Sequence, residues 1–502
     1  MITEARKYQA FYTKSTPIVD YMVSKLQLNS LDKILEPCGG DGVFIDCIIE
    51  HNEFAKIDIC ELNPFAINIL QKKYSNFQNI NIRECDTLLD DELSFNSNFG
   101  GFYDKIIANP PYGAWQDYEK RIILKKMYSD LYAKESYTLF LYRCIELLKD
   151  NGILSFIIPD TFLNLHMHKS IRKHILTKTK IKELALFPSS FFPGVNFGYA
   201  NLSIITLQKS NNQIEIRNNS FEVKTNYNNV EQLNNRNEDD LKVYTFSQNE
   251  ILENPDYAFL ISDNSLVSKT INNSKLKLGD IANCVTGFYS GNDKVYLKVN
   301  SHNLKNGKNY EIIDSKKINK DYKNINDILN GIETEKCYLP IVKGGNTKFL
   351  KPVGWYMNWS TEAVSHYKND KKARFQNPKF YFKFGIGVPM ISSSSITASL
   401  IENKLFDQSI VGIFPFEENL TYYLLAFLNS PTCNKLIRTI NPSANNPANY
   451  LKKIPYKIPT EIQKNKIDEQ ITIILNSIKE NGNYSSDNEK IINLIIEEIY
   501  GF

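Results

Sequence analysis

Up to about residue 207, near-continuous apolar runs alternate with amphipathic stretches, and this alternation is the strongest constraint on how the 502-residue chain folds. The apolar runs are KILEP, AKIDICE, NINIREC, YDKIIANPP, GILSFIIP and LSIITLQK. Between them, PIVDYMVSKL, GVFIDCII, PFAINILQKKY, YTLFLYRCIELLKD and HKSIRKHILT carry helical spacing. Strands this uniformly apolar must be covered on both faces, so an open α/β sheet with helices on each side is expected. The runs end in Pro, Gly, Asn or Asp, which sets polar loops at the carboxyl ends of the strands, where such sheets bind ligands.

Composition changes after that region. Ten of the thirty residues from 211 to 240 are Asn, and the apolar period fades. Three parts are expected: an α/β domain over 1–215, a mixed α+β domain over 240–458, and two packed C-terminal helices over 459–502, written in EIQKNKIDEQITIILNSIKE and NEKIINLIIEEIY.

The polar opening MITEARKYQAFYTK has no apolar leader, and no run approaches the ~18 residues of a membrane span. A soluble, cytoplasmic protein with no membrane partner is expected. Eight scattered cysteines form no C-x-x-C pair and no His cluster has metal spacing, so reduced thiols and no metal are expected. The net charge of +3 is too mild to establish a nucleic-acid partner, but its distribution is uneven. Between Lys343 and Lys383 there are nine Lys or Arg against two acids, a local excess of +7. Trp355, Tyr356, Trp359, Phe375, Phe380, Tyr381 and Phe382 lie among them. Such a stretch is either a nucleic-acid surface or a solvated basic face over an ordinary aromatic core.

Two constellations carry chemistry. The first, Glu36-Pro37-Cys38-Gly39-Gly40-Asp41-Gly42-Val43-Phe44, lies directly between a strand and a helix. Glycines there allow a tight turn and a close approach of backbone to a ligand. Glu61 ends the next strand, where a carboxylate can accept both hydroxyls of a ribose. Asp86 follows a third strand, placed to accept from the amino group of an adenine ring. Either acid alone reads as a solvated loop residue; their order and spacing give them value.

The second constellation is Asn109-Pro110-Pro111-Tyr112, after the strand YDKIIA. An adenine amino group is a poor nucleophile because its lone pair is delocalised into the ring. Two acceptors that draw its hydrogens out of plane localise that lone pair, and the Asn109 side-chain oxygen and the Pro110 carbonyl are two such acceptors. Pro110 and Pro111 hold the loop rigid, and Tyr112 can stack on the base. Taken alone, the four residues also fit a rigid turn that closes a strand.

With these motifs in this order, the chain resembles the TaqI-like, γ-class adenine-specific DNA methyltransferases. The resemblance implies a Rossmann-like S-adenosylmethionine-dependent methyltransferase sheet followed by a target-recognition domain. It also implies transfer of a methyl group to the N6 amino group of an adenine flipped out of double-stranded DNA. Phe11-Tyr12-Thr13 resembles the family's N-terminal cofactor motif, with Thr13-Lys14 where Thr-Pro is usual, so Tyr12 and Thr13 join Glu36, Pro37, Cys38, Gly39, Gly40, Gly42, Glu61, Asp86 and Asn109 as cofactor-contacting residues. Cys38 and Gly39 stand where the family more often has Ala and Cys. FPSSFFPGVNFGYANLSIITLQK resembles the segment that supplies a second aromatic face for the extruded base, with Phe192 the partner of Tyr112 and Phe191 or Phe197 as alternates, or all three simply core residues.

Beyond residue 240, LGDIANCVTGFYSGNDKVYL, PIVKGGNTKF, WYMNW and ISSSSITASL resemble the family's specificity domain. The resemblance implies a monomer acting on double-stranded DNA, with or without a separately encoded restriction endonuclease. The rivals are a methyltransferase for protein glutamine, RNA or cytosine, and a silent DNA-binding module.

Overall fold

The computed structural model describes residues 13–52, 54–98, 100–112, 118–192, 201–234, 241–261, 265–392, 395–441 and 444–502. By compactness the chain divides into two units, Met1–Ile261 and Ser262–Phe502.

The first unit is built on a nine-stranded sheet: β1 Lys33–Glu36, β2 Lys56–Glu61, β3 Ile80–Glu84, β4 Tyr103–Ala108, β5 Leu148–Pro159, β6 Thr179–Phe187, β7 Leu202–Lys209, β8 Ser220–Thr225 and β9 Lys242–Ser247. Their spatial order is β3-β2-β1-β4-β5-β7-β6-β8-β9. The strands β3, β2, β1, β4 and β5 run parallel, and β7 is antiparallel to both β5 and β6. All six expected strands are present. Those at the centre read as continuous apolar runs because neither face meets water: Ile34, Leu35, Ile106, Ile107, Leu154 and Phe156 are all fully buried. The five expected helices form as Thr16–Ser24, Val43–His51, Pro64–Lys73, Ser136–Leu147 and Lys169–Lys178.

Strand order reverses between β1 and β4, so their carboxyl ends flank the crevice where a doubly wound sheet takes its ligand. The sequence pattern does not reveal β6 because a bulge shifts its register between Ile181 and Glu183, breaking the two-residue alternation. Nor does it reveal β8 or β9. These strands extend the sheet through the Asn-rich region, so the first unit runs to Ile261 and the expected junction at 215–240 falls inside it. Asn content reads as linker, yet Phe221 and Val223 on β8 are buried and fix it to the core.

The second unit holds two four-stranded sheets. One is antiparallel, from Ala282–Thr286, Ile410–Pro415, Ile386–Pro389 and Ser399–Leu400. The other is mixed, from Leu297–Val299, Trp355–Asn358, Tyr338–Val342 and Leu405–Phe406. Its core is aromatic: Trp359 is fully buried, meets Phe288 and Tyr381 edge-on, and its indole donates to the Ile328 carbonyl at 2.7 Å. The two C-terminal helices, Glu461–Asn481 and Ser486–Tyr500, pack on each other within this unit. A capping box of Thr460 and Gln463 starts the first helix and Gly482, at φ +73°, stops it.

Candidate active site

The loop after β1 is bound into the sheet edge by its backbone. The Gly39 amide donates to the Cys60 carbonyl at 3.0 Å, and the Gly40 amide donates to the Glu61 carboxylate at 2.8 Å. A Cβ on Gly39 would lie 2.3 Å from the Ile59 side chain, and Gly42, at φ +79°, begins the helix Val43–His51 with Tyr74 packed over it. These two glycines are therefore required by the packing of the turn itself. The Pro37 carbonyl accepts from the Thr87 hydroxyl at 2.6 Å, which ties the loop to the segment after β3.

Glu36 is 2% exposed and one of its carboxylate oxygens has no hydrogen-bond partner among the described residues. Burial pushes its carboxyl well above the usual range, and the neighbouring charges of Asp41, Glu61 and Asp46 push it further. Glu61 is better satisfied: Oε1 accepts from the amides of Leu62 and Asn63, both at 2.8 Å, and Oε2 accepts from Gly40. A carboxylate has about four acceptor positions, so little capacity is left for ribose hydroxyls. Asp86 accepts from the Leu88 amide at 3.1 Å and is ion-paired with Lys120 of the helix Tyr118–Met127. Lys120 is not foreseen from sequence, since nothing in its local pattern points to Asp86.

Across the switch point, β4 delivers Asn109. Its side-chain nitrogen donates to the Thr13 hydroxyl at 3.0 Å, and its side-chain oxygen accepts from the Tyr112 hydroxyl. The Cys38 thiol donates to the Asn109 carbonyl at 3.4 Å, joining the two loops. Tyr112 is 4% exposed, its hydroxyl also reaches the Ile157 carbonyl at 2.7 Å, and its ring meets Tyr137 edge-on at 6.4 Å. Burial raises its phenol pKa well above the ordinary value, so Tyr112 is neutral. Tyr137 in turn contacts the Thr161 hydroxyl at 2.9 Å and His168 Nε2 at 3.2 Å. Burial pushes His168 down to about 3, so it too is neutral. None of this supporting layer is singled out by the sequence, although the run IIPDTFL contains Thr161.

Phe192 is 2% exposed and belongs to the core of the first unit, while Phe191 is half-buried and stacks on Phe187 at 6.0 Å. Both follow β6, which runs parallel to β4, so they leave the sheet at the same edge as Asn109. Three strand spacings separate β6 from β4, roughly 14 Å at ~4.8 Å each. Tyr12 and Phe197 lie outside the described residues.

The structure sorts the basic stretch of the second unit. Lys343 lies between Asp293 at 2.7 Å and Asp407 at 3.2 Å, Lys348 pairs with Glu489, and Lys351 donates to the Lys343 carbonyl at 2.5 Å. Lys371, Lys372, Lys379 and Lys383 are exposed and form no ion pair among the described residues. Among those residues no group of acids, His and Cys could hold a metal, no helix is long and apolar enough to cross a membrane, and all eight cysteines are free.

Residues 41–192 match the family model described as Eco57I restriction-modification methylase. That span contains Gly42, Glu61, Asp86, Asn109–Tyr112 and Phe192. The type II methyltransferase M.AccI of Acinetobacter calcoaceticus is 30% identical over 186 residues, 36% of this chain and 33% of that protein. The modification methylase CviBIII of Paramecium bursaria Chlorella virus NC1A is 38% identical over 146 residues, 29% of this chain and 35% of that protein. The matched part thus spans about a third of the length of these curated relatives. Among solved structures, a nuclease-deletion mutant of the Type ISP restriction-modification enzyme LlaGI, in complex with a DNA substrate mimic, gives a TM-score of 0.55 at 13% identity, covering 92% of this chain and 55% of that one. The DrdV–DNA complex gives 0.54 at 12% identity, covering 93% and 57%. At such identities the likeness is one of fold.

The methylase match supports S-adenosylmethionine as cofactor, and the residues at the switch point fit it. Glu36, with its partnerless oxygen in a cluster of acids, suits a ligand that brings an ammonium and a sulfonium charge.

Proposed function

We propose that this chain, whose residues 41–192 carry the restriction-modification methylase match, is an adenine-specific DNA methyltransferase of the TaqI-like class. The observation that carries the reading is the amide of Asn109. It stands at the carboxyl end of β4, next to the Glu36–Gly42 loop, with its nitrogen held by Thr13. Its oxygen is thereby the group offered to a substrate amine.

Glu36 would hold the ammonium of the cofactor, with Thr13 and the loop Pro37–Gly42 beside it. Glu61 would keep one acceptor position for a ribose hydroxyl. Asp86 would receive the adenine amino group of the cofactor once Lys120 yields. When bound, the cofactor supplies an electrophilic methyl group on sulfur. Asn109 Oδ1, exchanging the Tyr112 hydroxyl for a hydrogen of the target amine, and the Pro110 carbonyl would draw both amine hydrogens out of the ring plane. The lone pair that Asn109 and Pro110 localise would take up the methyl group, the cofactor departing as its demethylated thioether, and the surplus proton would leave the alkylated amine to water. No base is needed before transfer.

The extruded adenine would stack on Tyr112, with Phe192 or Phe191 as the second face. Tyr112 is 4% exposed and Phe192 2%, so stacking requires that these rings be uncovered as substrate enters. The second unit would recognise the target sequence in duplex DNA.

The test is expression in a methylation-deficient bacterium and reading of its genomic DNA for methyladenine at single bases. A single motif carrying methyladenine is expected, and Asn109→Ala should lower methylation at least ~100-fold while the thermal shift given by S-adenosylmethionine persists. Full methylation by that variant would remove Asn109 from the reaction; a blank genome with cofactor binding intact would redirect the search to RNA or protein.

A further inference from the structure

A cavity of about 620 Å³ opens in the second unit. Its lining includes Lys323, Lys379 and Lys383 together with the apolar Ile325, Ile328 and Phe382. The three lysines are exposed and make no ion pair among the described residues. Lys379 Nζ lies 5.1 Å from the centre of the Phe380 ring. Glu402, the carboxylate that acts on the wall residue Tyr322, is held by Lys404 at 2.9 Å and Lys479 at 3.5 Å, so it does not neutralise the lining lysines.

The backbone that builds this cavity is strained. Phe382 sits at φ +58°, in the left-handed region that a bulky side chain rarely adopts. Asn377 and Asn403 share that region at φ +58° and +61°. The turn that begins at Asn377 sets Lys379, Phe382 and Lys383 within five residues of one another along the cavity lining. The Phe382 ring meets Trp359 edge-on at 5.6 Å and Tyr322 at 5.9 Å, so core contacts set its position. Strain of this kind persists where the surroundings impose it, and it concentrates at ligand clamps.

We propose that this cavity seats one nucleotide unit of the substrate DNA strand, with its phosphate on Lys323, Lys379 and Lys383 and its sugar or base against Phe382. The volume lies within the range of small-ligand sites and exceeds what a bare phosphate fills. Three ammonium groups without a carboxylate of their own, with an apolar, aromatic lining, match a group that is anionic at one end and flat and apolar at the other. The proposal rests on DNA being the substrate, and the experiment separates the two claims.

The full chain is titrated against a short fluorescein-labelled duplex across a salt series, beside the triple variant K323Q/K379Q/K383Q. Each lost phosphate contact removes about 0.9 from the slope of log affinity against log salt, and the three lysines share one phosphate, so the triple variant should be shallower by about 1. Its thermal midpoint and its shift with S-adenosylmethionine should equal those of the parent, since exposed lysines hold no core contact. Phe382→Leu should weaken binding several-fold at an unchanged slope. A parent that binds duplex and a triple variant of identical slope would overturn the cavity proposal alone. A parent that binds S-adenosylmethionine but no duplex would overturn the DNA reading, and this proposal with it. Labelled polyglutamate released by the triple variant, with duplex binding untouched, would replace DNA by an acidic protein partner.

Discussion

Buried charge is treated in opposite ways in the two units. In the second, Lys343 is enclosed by two carboxylates; burial opposes its charge, but Asp407 and Asp293 outweigh burial and hold its pKa above the ordinary value. In the first, Glu36 is buried and Asp160 partly buried at the carboxyl edge of the sheet, neither forms an ion pair among the described residues, and burial raises both carboxyls. A buried ion with partners is part of the scaffold, whereas one without partners destabilises the folded chain and persists where a ligand needs it. The difference separates structure from function more sharply than charge density along the chain does.

The largest test of that contrast is Lys343→Met. It strands the buried Asp407 beside the partly buried Asp293 as a like-charged pair and should destabilise the chain by about 3 kcal/mol at neutral pH. Adding Asp407→Asn should recover part of the loss. A single variant as stable as the parent in urea melts would mean the triad contributes nothing to the scaffold.

Asp160→Asn should act in the reverse sense. Burial raises the Asp160 carboxyl from 3.8 to about 6, with hydrogen bonds from Asn201 opposing. As pH rises from 4 to 6 the unfolded chain gives up this proton first, so the folded state loses stability across that window. The loss approaches about 3 kcal/mol above pH 6, since each tenfold difference in proton affinity between folded and unfolded chain is worth about 1.4 kcal/mol. Asparagine carries no such loss. The variant should therefore be more stable than the parent at pH 7.5, by an amount that shrinks towards zero as pH falls to 4. A difference that is flat with pH would show that Asp160 is not held protonated by its surroundings.

The parallel strands and the order of the motifs are legible in the sequence because backbone geometry demands particular residue types there. Gly39 and Gly42 fill places where a side chain would collide with Ile59 or Tyr74, and Asn109 must follow the buried run of β4 to reach the switch point. What the sequence hides are relations between distant positions. Lys120 reaches Asp86, the Tyr112 hydroxyl turns onto Asn109 and Ile157, and Tyr137 backs the Tyr112 ring. β6 is hidden by a bulge, and β8 and β9 by asparagines whose neighbours Phe221 and Val223 carry the packing. In the basic stretch the answer to core or surface is both. Trp355, Trp359 and Tyr381 are core, whereas Phe375, Phe380 and Phe382 are only partly covered against it.

The smallest effect on stability is expected from Lys371→Gln with Lys372→Gln, and it sharpens the contrast within that stretch. Both follow the helix Thr361–Asn369 and project into solvent, and the Lys372 contact to Asp370 is made by its backbone amide, which glutamine keeps. Unfolding should therefore be unchanged, since exposed charges without partners contribute only tenths of a kcal/mol. The salt dependence of duplex affinity should nevertheless become shallower by about 1 to 2, because a lysine that serves no carboxylate of its own chain is free to displace a counterion from DNA. The same pair of measurements on Lys343→Met should give the mirror result, a large loss of stability and an unaltered slope in the fraction that remains folded. An altered stability and unaltered slope for the 371/372 pair would place those lysines with the scaffold and confine the DNA-facing charge to Lys323, Lys379 and Lys383.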